Sequence, residues 1–117
     1  MMDEASVQLV EALQNPKCYP HPVSQVMLAE THISWVFLTG QYVYKIKKPV
    51  KFTFLDFSTL QKRRWFCEEE IRLNRRLAPQ LYLGVVPITG SPSGPQMDGK
   101  GTPFEFAVKM NQFLPDH

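Results

Sequence analysis

Gly40-Gln41-Tyr42-Val43-Tyr44-Lys45-Ile46-Lys47-Lys48-Pro49 is the stretch on which the fold of this chain turns. Thr39-Gly40 makes a turn, the β-branched and aromatic residues that follow favour a strand, and Pro49, unable to donate to a ladder, ends it. Side chains alternate along a strand, so Val43, Lys45 and Lys47 share one face. Soon afterwards the pattern changes to a long charged helix carrying three consecutive acids, Glu68, Glu69 and Glu70.

Upstream, Ile33 to Leu38 is a good strand by the same criteria, and Glu30-Thr31-His32 is the turn before it. Val23 to Ala29 reads as a first strand. Val7, Leu9, Val10 and Leu13 lie near helical spacing, with Asp3 and Glu4 suited to the positive end of the helix dipole. Asn15-Pro16 ends that helix, and Tyr19-Pro20-His21-Pro22 is a stiff extended linker.

Downstream, Val50 to Phe57 is a connector whose Phe52, Phe54 and Phe57 could plug onto a sheet. Ser58-Thr59-Leu60-Gln61 matches a capping box with Ser58 as N-cap. The helix is expected to run to about Ala78, before Pro79, with Phe66, Leu73 and Leu77 as its apolar stripe and Glu70 on that stripe. Leu81 to Ile88 is strand-like, Gly90 to Pro95 a loop, Asp98-Gly99 a hairpin turn, and Phe104 to Phe113 a last strand. The expected fold is α+β: a five-stranded antiparallel sheet with one long helix packed on it. Residues 1–20 form an N-terminal helix and linker, and 21–117 the domain proper.

Composition narrows the function. The 117 residues are 44% hydrophobic and 21% charged, ordinary for one globular domain. Net charge is +2, too small to demand a nucleic-acid or membrane partner. Ten of the 13 basic residues nevertheless fall between Lys45 and Arg76. The two cysteines, Cys18 and Cys67, form neither a disulfide framework nor a zinc signature and suit a reducing cytosol. His21, His32 and His117 have no metal-ligand spacing. No signal peptide is expected at the acidic start, and no run approaches a membrane span.

Several segments together resemble the small N-terminal lobe of a kinase-like fold. They are Glu30 to Gly40, Tyr44-Lys45-Ile46-Lys47-Lys48-Pro49-Val50, Phe54 to Leu60, Glu68-Glu69-Glu70, Leu73 to Pro79, and Tyr82 to Pro87. The chain is similar to the aminoglycoside phosphotransferase-like family. More narrowly, it resembles the N-terminal region of bacterial proteins that join such a domain to a P-loop kinase domain. The resemblance covers most of the chain from about residue 21 onward.

The resemblance implies ATP, with magnesium, as the bound cofactor, and phosphoryl transfer to a small molecule. In such a lobe the phosphate lysine lies two positions after a small apolar residue that lines the adenine. Val43-Tyr44-Lys45 fits: Val43, with Val36, roofs the base and Lys45 reaches the phosphates. Lys47 would put the cation of Lys45 against the base, so Lys47 and Lys48 are expected to steer phosphate or to be solvated. The helix supplies the glutamate that fixes the lysine, Glu70 or Glu69, with Glu70 preferred. Met110 is the expected wall of the base site, and Asn111 and Gln112 its hinge.

Two departures stand beside this. No Gly-rich phosphate loop is present. No H-x-D followed by Asn occurs, so the catalytic base and magnesium ligands of the second lobe are not in this sequence. The expectation is half an ATP site with no catalytic residue of its own, to be completed by a second lobe or a partner chain. Gly94 to Gly101 approaches a phosphate-binding loop but lacks Ser or Thr after Lys100, and reads as a hairpin loop. Two other readings compete. One is a nucleic-acid module using the basic block with Trp65; the other is a catalytically silent interaction domain.

Overall fold

A computed structural model describes residues 3–114. Met1, Met2, Pro115, Asp116 and His117 lie outside the described residues, including the expected end of the chain and the third histidine. Helix α1 spans Glu4–Ala12, its first turn capped by Asp3, whose Oδ1 accepts the Ser6 N–H at 2.7 Å. A single 3-10 turn, Pro16–Cys18, follows. Tyr19 then donates its hydroxyl to the Leu13 carbonyl at 2.6 Å and folds the linker back onto the helix.

The strands are β1 (Met27–Glu30), β2 (Ser34–Leu38), β3 (Tyr42–Lys47), β4 (Lys51–Phe52), β5 (Leu55–Asp56), β6 (Tyr82–Ser91), β7 (Gly94–Met97) and β8 (Glu105–Asn111), with helix α2 (Leu60–Asn74) between β5 and β6. The main sheet has six strands, antiparallel throughout, in the order β1-β2-β3-β8-β6-β7; β4 and β5 form a separate two-stranded ribbon. The α+β class agrees with the sequence, but five strands and one helix is a correct outline only in part.

The sixth strand comes from the segment expected to be a loop. β6 continues through Gly90 and Ser91, and Gly94–Met97 turns back beside it. Gly90 allows this, with φ +87° and a position where a Cβ would strike the Gly94 carbonyl oxygen. Pro95 is tolerated because β7 is an edge strand. The loop that approached a phosphate-binding motif is thus partly a strand.

Two layers of core flank the sheet. On one face Trp35, Phe37, Tyr44, Ile46 and Ile88 meet Leu9 and Val10 of α1, its C-cap Leu13, and Tyr19. Burying each large apolar side chain contributes roughly 1.5–3 kcal/mol. On the other face α2 lies over β8 and β6, burying Cys67 and Ile71 against Phe106 and Val108.

Helix α2 differs from its expected form in three ways. Thr59 is the N-cap rather than Ser58: its Oγ1 accepts the Lys62 N–H at 3.2 Å, while Ser58 bonds back to Asp56. Thr59→Ala should therefore lower stability by about 1 kcal/mol in urea unfolding. The helix ends at Asn74, four residues early, and Leu73 and Leu77 are exposed. The buried stripe is Cys67 and Ile71 instead.

Candidate nucleotide site

Lys45 is carried by the middle of β3, between Val36 on β2 and Val108 on β8. By alternation its side chain lies on the face that α2 covers. Glu70 lies three residues after Cys67 and one before Ile71, so the packing of those two turns it toward the sheet. The Lys45 ammonium meets Glu70 Oε2 at 2.6 Å. Glu69 points elsewhere: it pairs with Arg72 at 2.5 Å on the outer side of the helix. Spacing alone admitted both acids, and the structure selects Glu70. Elsewhere on the helix Arg64 pairs with Glu68 and Arg72 with Glu69.

Lys47 corrects the expectation of a solvated or phosphate-steering residue. It is 6% exposed and donates to Glu70 Oε1 at 2.8 Å, its ammonium 5.2 Å from the centre of the Phe57 ring. One carboxylate therefore holds two ammonium groups, one on each oxygen. The signal in the sequence was strand alternation, which puts both lysines on one face. Lys48 points to the opposite side, pairing with Glu30 at 2.5 Å near the Trp35 ring.

Burial pushes the Glu70 carboxyl up, but hydrogen bonds from Lys45 and Lys47 and their charges outweigh it, so its pKa lies below the ordinary carboxylate value. The Cys67 thiol beside it is pushed up to about 12 by burial, which suits a packing residue rather than a nucleophile.

Beyond Lys45 the same sheet face turns apolar. Register places Met27, Leu38, Val43 and Met110 in one row across β1, β2, β3 and β8. Val36, Leu38 and Val43 are only half-buried, and Met27 is exposed. A cavity of about 320 Å³ opens at the end of this row, lined by Met27, Leu38, Gly40 and Gln112 among others. At the expected hinge, the Asn111 N–H donates to Leu81 and the Gln112 N–H to Gln41. The Gln112 side chain accepts the Gly40 N–H at 2.8 Å. Those two N–H groups are engaged within the chain.

Arg63 and Glu105 were not singled out in the sequence. The guanidinium donates to both oxygens of Glu105 at 3.1 and 3.2 Å and to the Phe57 carbonyl at 2.9 Å, tying the start of α2 to β8. Glu105 is buried, and burial holds its pKa above the ordinary value despite Arg63.

Uncharacterized proteins of Mycobacterium bovis and Mycobacterium tuberculosis are similar to this chain. Each is 42% identical over 80 residues, a stretch that covers 66% of this chain and 16% of the relative. The chain thus matches about a sixth of the length of these relatives. No protein-family profile matches the chain. No solved structure matches it.

Among the described residues no group of three His, Cys, Asp or Glu side chains could hold a metal ion. Both Glu70 oxygens are occupied by lysines, so in this arrangement that carboxylate is not free to ligate magnesium. Nor is any helix among them long and apolar enough to cross a membrane.

Proposed function

We propose that this chain is the nucleotide-binding small lobe of a kinase-like small-molecule phosphotransferase. The observation that carries the proposal is the 2.6 Å contact between Lys45 and Glu70, residues far apart in sequence that meet between sheet and helix. A carboxylate that holds a lysine on a strand keeps that ammonium beside the open side, where an arriving anion can take it over. Lys45 retains 27% side-chain exposure, so an anion has access to it.

The apolar row supplies the other half of a nucleotide site. Val43 and Lys45 are two residues apart on one strand, roughly 7 Å. A flat base lying on Val36, Leu38 and Val43 places a phosphate tail over Lys45. Met110 borders the base. Polar reading of the base would use hinge groups other than the Asn111 and Gln112 N–H.

The acceptor-binding and catalytic groups belong to a second lobe or partner. Phe54, Leu77 and Phe113, each more than 70% exposed, are apolar surface such a body would cover. In the mycobacterial relatives the matched stretch is joined to much further sequence, which has room for such a lobe. The basic block favours a nucleic acid less. Lys62, Arg63, Arg64 and Arg72 are each paired with a carboxylate, so few cations remain to neutralise phosphates.

Calorimetric titration with ATP and with adenosine tests the proposal. Wild type should bind ATP weakly but more tightly than adenosine, and Lys45→Ala should abolish that difference while keeping adenosine binding. An ATP preference that survives unchanged in Lys45→Ala would remove Lys45 from the role.

A further inference from the structure

A lysine–glutamate pair needs two groups, and this site has three. Glu70 divides its oxygens, Oε2 to Lys45 and Oε1 to Lys47. The two lysines differ in access. The Lys47 side chain is 7% exposed and lies against Phe57, whereas that of Lys45 is 27% exposed. The neighbouring acids are engaged elsewhere: Glu68 with Arg64, Glu69 with Arg72, Glu105 with Arg63. Two ammonium groups against one carboxylate leave a surplus positive charge at the site.

We propose that Lys47 is the positioning residue that keeps Glu70 ionised and oriented when Lys45 turns to a phosphate. Lys45 is then the exchangeable partner of Glu70 and Lys47 the permanent one. This rests on the nucleotide reading given above. An incoming anion competes only for the ammonium it can reach, which is Lys45. Were Lys45 the sole partner, its departure would strand a largely buried carboxylate, and burial favours the protonated form of such a group. With Lys47 on Oε1, the acid keeps its charge and its rotamer through the exchange. The surplus charge is satisfied by the phosphate itself.

NMR of the 117-residue chain with isotopically labelled glutamate and lysine tests this at about pH 6, above the ordinary glutamate range. In wild type, ATP should shift the Lys45 side-chain signal, leave that of Lys47 in place and keep the Glu70 carboxyl signal within its ionised range. In Lys47→Met, ATP should move the Glu70 carboxyl signal toward its protonated position, with uptake of a proton. Lys47→Arg, which keeps a cation, should behave as wild type. The proposal is overturned if Glu70 stays ionised in ATP-bound Lys47→Met, or if Lys47 in wild type moves together with Lys45. If ATP leaves Lys45 unmoved in wild type, the nucleotide reading fails and the exchange fails with it. A failure confined to Lys47 shows itself differently, as a Lys45 response in both proteins with Glu70 ionised throughout.

Discussion

Glu70→Leu should lower the unfolding free energy by about 3–5 kcal/mol, the range for stranding one partner of a buried ion pair. Lys45 can turn its exposed ammonium to water, but Lys47, 6% exposed, cannot without disturbing the packing around Phe57. The cost therefore comes from Lys47. The double variant Lys47→Met/Glu70→Leu removes the stranded charge and should recover most of the loss, since apolar replacement of a whole buried pair is often neutral. Urea midpoints at unchanged slope measure both. A double variant no more stable than Glu70→Leu would show that Lys47 is not the source of the cost.

Acidity adds a second check. The Glu70 carboxyl has a folded pKa below its unfolded value, so its stabilisation is present above the unfolded pKa and is lost as pH falls through the folded one. The gap between wild type and Glu70→Leu should close on acidification because wild type weakens.

Arg63→Ala should cost a similar amount, about 3–5 kcal/mol at neutral pH, by leaving Glu105 buried with only the Phe106 N–H as partner. Its pH dependence arises differently. The Glu105 pKa is raised by burial, so the folded state favours the protonated acid; that contribution is present below the unfolded pKa and is lost as pH rises through the folded one. Without Arg63 this effect grows. The Arg63→Ala gap should close on acidification because the variant recovers, and a gap that stays constant from neutral pH to acid would contradict a stranded Glu105. Because Arg63 ties the start of α2 to β8 and Phe57, the substitution should also loosen the Lys45–Glu70 contact further along the helix.

Much of this was legible in the residues. Alternation put Val43, Lys45 and Lys47 on one strand face, the resemblance turned that face toward a helix, and spacing admitted both Glu69 and Glu70, with Glu70 preferred. The stripe used to reach Glu70 was nonetheless partly misplaced, since Leu73 and Leu77 face outward and Cys67 and Ile71 carry the packing. Helical periodicity reports that a face is apolar; when several faces of one helix hold apolar residues, the sheet surface opposite chooses among them. β7 was missed because Gly and Pro mark turns and edge strands alike, and the partner strand decides which.

Residue type and order along the chain were sufficient for the α+β class, the lysine strand and the acidic helix that follows it, because these depend on local periodicity and turn chemistry. The engagement of Lys47 by Glu70, the rejection of Glu69 and the buried Arg63–Glu105 tie were not readable there. They depend on which side chains the folded sheet and helix bring within a few ångströms and out of reach of water, and a charge behaves as solvated or paired according to that exclusion and not according to its neighbours in sequence.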